Sequence, residues 1–298
     1  SGQAAMTSEL RIEFTGSENN RLVADLYAAD NPRGLVLLAH GGGQTRHSWG
    51  GTARALAARG ITAVTMDQRG HGDSDWVESS AYDFYSFAGD MACAATQIKD
   101  QTGFRPAIVG ASLGGLAGLF AAGSEIDDDT IAALVLVDIT PKMKVDGVRR
   151  IIGFMSEHSQ QGFANVEEAA DAISAYLPHR PRPTDLSGLS KNLRQGDDGR
   201  LRWHWDPKFI SSRADAKLHA KEVEAQGFQA ARRLKMPVLL VRGRESELVG
   251  EDEVDAFVDA VPHAKFADIA GARHMVAGDR NDVFTDALLT FFADLTWR

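Results

Sequence analysis

The 298-residue chain has one cysteine, Cys93. A lone thiol has no internal partner, so no disulfide framework holds the fold, and a reducing, cytoplasmic setting is expected. Cys93 falls in a helical pattern with Met91, Ala94 and Ala95, which predicts a small core residue. No run of eighteen apolar residues occurs, so no membrane span is expected. Residues 1–6 lack the basic-then-apolar pattern of a secretory leader. Positive charge is also scarce: the net charge is −9, which argues against general nucleic-acid binding. No Cys/His cluster has zinc-ligand spacing, no G-x-G-x-x-G follows a strand, and no P-loop is present. Neither a metal nor an organic cofactor is therefore expected.

What is present is 44% hydrophobic content, enough for a sizeable core. Residues 10–15 and 21–27 alternate around a Gly16-to-Asn20 turn and read as an edge hairpin. Strand and helix then alternate. Strands are expected at 34–39, 61–66, 107–109 and 132–138, with helices at 46–58, 85–99 and 115–122. This rhythm implies an α/β fold with a mostly parallel central sheet and helices on both faces. It breaks at Lys142. Helices are expected at 145–157 and 166–176, a Pro-punctuated linker at 178–183, and a short helix at 188–194. A small hairpin around 195–205 and a longer helix at 215–234, broken near Gly227, complete this stretch. The sheet resumes at 237–243 and 264–269, with helices at 251–260 and 281–295. The expected organisation is a core of residues 1–140 and 234–298 interrupted by a mainly helical insertion at 141–233.

One stretch combines strand, sharp turn and helix: Ala107 to Val109, then Gly110-Ala111-Ser112-Leu113-Gly114, then small residues from Gly115 to Ala122. G-x-S-x-G in this setting forces Ser112 into a strained backbone angle and lifts its hydroxyl above the sheet. The glycines let neighbouring backbone pass close. A hydroxyl placed there, at the positive end of a helix, is a candidate nucleophile. Two backbone donors are needed where the oxyanion develops. Leu113 N–H is one. The other is expected from His40-Gly41-Gly42-Gly43, at Gly42 or, one residue on, at Gly43.

These markers, with Asp67-Gln68-Arg69-Gly70-His71-Gly72-Asp73-Ser74 and Gly271-Ala272-Arg273-His274, occur in one order over nearly the whole chain. The sequence resembles the α/β-hydrolase fold with an inserted lid. The resemblance implies that His274, after the last strand, is the base for Ser112, and that His40 and His71 are structural. The family commonly carries its acid after the strand at 238–241, but Ser246 occupies that position here. Asp138, at the end of the preceding sheet strand, is then the preferred acid, as in some members; Glu247 and Glu245 are the alternatives. The implied activity is a serine hydrolase acting on a small ester, thioester, lactone or related acyl compound. Carbon–carbon bond hydrolases, cofactor-free perhydrolases and a ligand-binding receptor with a retained triad share the pattern. Epoxide hydrolases and dehalogenases of this fold carry Asp at the elbow, and Ser112 argues against both.

The insertion supplies pocket candidates: Trp203, Trp205 and Phe209, with Phe154 and Met155, and Trp49 beyond the oxyanion loop. Its charge differs from the rest. Residues 141–233 hold 16 Lys and Arg against 12 Asp and Glu, a surplus of +4, and the remainder carries −13. A basic cover over an acidic body either favours a carboxylate-bearing substrate or is a solvated surface with local ion pairs. Arg149, Arg150, Arg180 and Arg182 are the cations to follow. The expected partner is a small molecule; nothing in the sequence reads out oligomeric state.

Overall fold

The computed structural model describes residues 9–124, 129–243, 246–269 and 281–298. Among them runs an eight-stranded sheet: β1 (Glu9–Thr15), β2 (Arg21–Tyr27), β3 (Gly34–Ala39), β4 (Ile61–Met66), β5 (Ala107–Ala111), β6 (Ala133–Val137), β9 (Val238–Gly243) and β10 (Lys265–Ile269). Two short strands, β7 (Leu193–Gln195) and β8 (Leu201–Trp203), form a separate hairpin. The spatial order is β1-β2-β4-β3-β5-β6-β9-β10. Both pairings of β2 are antiparallel; the rest of the sheet is parallel. Strands β3, β4, β6 and β9 are buried at every residue. This explains their largely apolar sequences, with Thr62 and Thr65 in β4 and Arg242 in β9 the exceptions, since helices cover both faces of a parallel sheet. The outer strand β1 instead exposes Glu9, Arg11 and Glu13, charges that discourage pairing with another chain.

The helices are α1 (Gly50–Ala58), α2 (Phe84–Thr102), α3 (Leu113–Ala122), α4 (Val145–Glu157), α5 (Val166–Tyr176), α6 (Pro207–Ser211), α7 (Ala216–Ala231), α8 (Glu251–Ala260) and α9 (Asn281–Phe292). Local chemistry sets their ends. Asp83 caps α2 by accepting from Ser86 N at 2.8 Å, and Gly103 closes it with φ 78°. All ten residues of α3 are buried, so it is apolar on every side.

Three expectations are corrected. The helix α7 runs unbroken through Gly227, because the missing side chain is a packing feature: a Cβ there would lie 2.8 Å from Pro141 Cβ. Residues 46–49 form a 3-10 turn before α1 rather than its first turn. The expected short helix at 188–194 is a 3-10 turn over Ser187–Lys191 leading into β7. The short α6 was not anticipated; Asp206 caps it and Pro207 opens it. Cys93 is half-buried, and burial pushes its thiol up from its ordinary value. Among the described residues no helix is long and apolar enough to cross a membrane.

Candidate active site

Parallel strands end together, so their following loops converge at one edge of the sheet. Ser112 follows β5 with φ 50° and ψ −113°, conformations that ordinary side chains avoid. The neighbouring glycines make that turn possible. A Cβ on Gly110 would lie 2.3 Å from the Gly114 carbonyl carbon, and one on Gly114 would lie 2.4 Å from Ala39 O. Gly114 N donates to His40 O at 3.1 Å, tying the elbow to the loop after β3. That loop lies against the serine: a Cβ on Gly41 would be 3.4 Å from Ser112 Cβ. Gly41 N is used within the turn by Gln44 Oε1 at 2.9 Å. Gly42, Gly43 and Leu113 line the same cavity as Ser112.

Asp138 follows β6, the neighbour of β5, and Ser112 N approaches Val137 O at 3.4 Å. The hydroxyl and this carboxylate therefore belong to adjacent strand ends. Asp138 is fully buried and holds φ 58°, a second strained residue at the same edge. Its Oδ1 accepts from Gly243 N at 3.3 Å. Ser246 accepts from Leu248 N at 3.3 Å and Val249 N at 3.1 Å, which leaves its O–H to donate to Asp138. Burial pushes the Asp138 carboxyl up to about 7, against the lowering effects of Ser246, Gly243 N–H and Arg242. The serine standing at the family's common acid position thus serves the carboxylate on the neighbouring strand. Glu247 also lines the cavity, but Arg150 of α4 pairs with it. His274 and Glu245 lie outside the described residues.

Three other histidines brace the loops. Nδ1 of His40 bonds Gly41 O at 2.7 Å while its Nε2 accepts from Gln68 N at 3.0 Å. His71 Nδ1 bonds Arg69 O at 2.9 Å. His204, from the 141–233 segment, accepts from Gly72 N at 2.7 Å through Nδ1 and donates to Gly43 O at 2.9 Å through Nε2. These bonds fix its neutral tautomer. Burial lowers all three below the ordinary histidine value, His204 to about 4.

The cavity over Ser112 measures about 520 Å³. Trp203 and Trp205 line it and stack on each other, with centroids 5.3 Å apart. Phe154 lines it as well, stacked on Tyr176 at 4.3 Å. Met155 and Phe209 close on the glycine loop: a Cβ on Gly43 would be 2.8 Å from Met155 Cε, and one on Gly42 3.4 Å from Phe209 Cζ. Arg180 also lines the cavity. Two expected pocket residues are corrected. Trp49 is buried against Phe284 at 5.7 Å, in the core beneath α1 and α9. Arg149 is exposed and pairs with Asp146 at 3.4 Å, one helical turn away. Arg182 likewise pairs with Asp171 on the surface. Tyr176, Arg213 and His219 line the cavity without having been anticipated. Arg213 sits between two helices, where no periodicity marks it in the sequence.

A family model described as the alpha/beta hydrolase fold matches residues 34–280. An esterase of Mycobacterium tuberculosis is 28% identical over 226 residues, covering 73% of this chain and 68% of its own length. A 3-hydroxybutyrate-oligomer hydrolase of Cupriavidus necator is 27% identical, covering 82% of this chain and 83% of its own. The solved structure of an E-2-(acetamidomethylene)succinate hydrolase superposes with a TM-score of 0.80 at 22% identity, covering 96% of this chain and all of its own; it bears on the fold alone. With the family model spanning most of the chain and the elbow built as described, the chain belongs to the α/β-hydrolase-fold family and is a hydrolase.

Proposed function

We propose that the chain is a serine hydrolase that cleaves a small ester, thioester, lactone or related acyl substrate through an acyl-enzyme. Ser112 Oγ attacks the carbonyl carbon while His274 takes its proton. The N–H groups of Leu113 and Gly42 receive the oxyanion. His274 then protonates the leaving group, and a water deprotonated by the same imidazole releases the acid. Asp138 orients His274 and stabilises its cation. The segment 141–233 acts as a lid whose aromatics keep the acyl chain from water.

The observation that carries this reading is the strained elbow: Ser112 at φ 50°, held by glycines and opening on the cavity. A structural serine gives no reason for such a backbone. Asp138 on the adjacent strand end supports its place as the acid, and the pairing of Glu247 with Arg150 weighs against the glutamate. An esterase among the relatives favours a carboxylic ester over a carbon–carbon bond.

A fluorophosphonate probe followed by peptide mass spectrometry tests the nucleophile. Labelling is expected at Ser112 alone, and Ser112→Ala is expected to lose 4-nitrophenyl acetate turnover by about 10³-fold or more. Labelling at another residue, or full turnover by Ser112→Ala, overturns the reading. Labelling of Ser112 without turnover of any acyl ester would make the chain a receptor.

A further inference from the structure

The cavity has a second polar end. Arg213, in the turn after α6, is 6% exposed yet lines the cavity. Its guanidinium carbon stands 4.2 Å from the Phe209 ring centre, 5.3 Å from that of Phe84 and 6.0 Å from that of Phe87. Nη1 donates to Phe209 O at 3.0 Å and to Ser212 Oγ at 2.9 Å, and Nη2 donates to Tyr82 O. A guanidinium has five N–H groups. The Nε–H and the second Nη2–H meet no acceptor among the described residues. No carboxylate among them lies within ion-pair distance; the acid that acts on Arg213, Asp83, is committed to Ser86 N at 2.8 Å.

This is an unusual state for a cation. Burying one without a counter-charge is costly, and natural sites normally supply the partner. Burial lowers the Arg213 guanidinium to about 10, so it stays charged at neutral pH. Elsewhere in this molecule the rule is kept: buried Arg46 meets Asp25, Asp67 and Asp73, and buried Arg69 meets Asp90. Arg213 alone of these three is left to aromatic faces and backbone oxygens, and it alone lines the cavity.

The rest of the lining agrees in sign. Among the described residues, Lys191 and Arg213 line the cavity, as does Arg180, and the one acid there, Glu247, is engaged by Arg150. Lys191 and Arg213 thus bring positive charge to this cavity in a chain of net charge −9. Lys191 is exposed at the mouth and Arg213 is buried within, an arrangement that draws an anion in and then holds it. His219, stacked on Phe84 at 5.4 Å, is lowered to about 4 by burial and then by Arg213, so it is a neutral neighbour. Phe209 touches both the oxyanion loop and Arg213, so the free cation lies one aromatic ring from the reacting end.

We propose that Arg213 is a specificity-determining residue that binds a carboxylate carried on the acyl chain of the substrate. The proposal rests on the acyl-hydrolase reading above for the orientation of that chain. The carboxylate accepts from Nε and Nη2 of the guanidinium, a fork suited to two parallel hydrogen bonds. The three existing bonds to Phe209, Ser212 and Tyr82 hold the fork in place before the substrate arrives. The preferred substrates are then half-esters or half-thioesters of short dicarboxylic acids.

Calorimetry on Ser112→Ala, which needs no turnover, tests this with monomethyl adipate and the neutral methyl hexanoate. The monoanion is expected to bind at least about tenfold tighter than the neutral ester. Adding Arg213→Met is expected to weaken the monoanion by about 10- to 100-fold and the neutral ester by less than about threefold. Adding Arg213→Lys, which keeps the charge and loses the fork, is expected to give an intermediate loss for the monoanion alone. Equal binding of the two esters by Ser112→Ala overturns the proposal even if Arg213→Met fails to fold. Equal weakening of both ligands by either variant, or unchanged monoanion binding in Arg213→Met, also overturns it and leaves Arg213 a structural tie. Methanol release by the wild-type protein reads the other question. If neither ester is turned over while the binding preference stands, the ester-cleaving reading fails and the anion site survives.

Discussion

At the edge of the sheet, glycine is present because backbone leaves no room for anything else. A Cβ on Gly110 or Gly114 would strike the Gly114 or Ala39 carbonyl group within 2.4 Å. In the 141–233 segment, Gly153 and Gly188 face open space, with nothing within 4 Å of such an atom. The same residue type is a geometric necessity at the edge and incidental at these two positions, whereas Gly162 of the same segment, with φ 64°, would set a Cβ 2.3 Å from Leu201 O. Where the covering segment touches the core, necessity returns: a Cβ on Gly147 would lie 2.0 Å from Glu247 O. The edge thus holds its chemistry through backbone approach and strained φ, and the cover is fastened to it through side chains. His204 bridges Gly43 and Gly72, Tyr82 Oη donates to Asp206 at 2.7 Å, and Arg194 meets Asp73 at 3.2 Å.

The largest expected effect falls on the strained edge. Asp138→Asn is expected to cut ester turnover by about 10²–10⁴-fold, because in the proposed mechanism His274 then loses its orienting charge. Glu247→Gln, at the junction with the cover, is expected to stay within about tenfold of wild type. Steady-state kinetics on one ester rank the two, and the reverse ranking would remove Asp138 from the site. The same variant should be more stable at alkaline pH. A carboxyl raised to about 7 by burial contributes fully to stability below its ordinary value near 4, and that contribution is lost as pH rises to about 7. Asparagine does not titrate. The gain from Asp138→Asn should therefore be absent at pH 4 and reach at most about 4 kcal/mol at pH 8, read by urea unfolding.

Gly114→Ala comes next. Its added methyl meets Ala39 O and its carbonyl carbon, which belong to a central strand and cannot rotate away. A loss of about 3 kcal/mol or more is expected, measured as a lower midpoint in urea. A loss below about 1 kcal/mol would mean the elbow is looser than its contacts imply.

This contrast also explains what could be read in advance. The elbow and the glycine loop were legible as turns because each is fixed by local sequence: a strand of five or six apolar residues, then a turn whose φ demands particular residues. Asp138 was singled out only through the family resemblance, and it lies at the end of β6. The helices α4 and α5 were legible to the residue from their amphipathic period. What escaped was tertiary. Trp49 follows the oxyanion loop in sequence, yet the turn of the chain sends it to Phe284. Arg149 and Arg150 are adjacent, but a helix points neighbours 100° apart, so one meets solvent and the other Glu247. Gly227 looks like a helix break until Pro141, far away in sequence, is seen packed on it. Arg213 carries no pattern at all; only the aromatic rings around it mark it.

The ties between cover and edge are expected to weaken in acid. His204 is held near 4, below the ordinary 6.5, because burial disfavours its charged form, and a proton on Nδ1 would break the bond it accepts from Gly72 N–H. A histidine lowered in this way contributes stability above pH 6.5, and that contribution is lost as pH falls toward 4. The full swing is on the order of 3 kcal/mol. His204→Gln, which keeps a donor and an acceptor but does not titrate, should be less stable than wild type at pH 7 and lose less between pH 7 and pH 4.5. Parallel curves for the two proteins would show that His204 does not couple the cover to pH.

The smallest effect tests the other side of the comparison. Gly153 lies inside α4, with open space where a Cβ would go. Alanine there removes backbone freedom from the unfolded chain and meets nothing in the folded one. Gly153→Ala should raise stability by about 0.5–1 kcal/mol and leave turnover unchanged, since α4 reaches the cavity through Ile151, Ile152, Phe154 and Met155 rather than through this position. Thermal unfolding and kcat/KM on one ester measure both. A stability gain accompanied by slower turnover would show that α4 must flex for substrate to enter, and the cover would then be a moving part rather than a fixed wall.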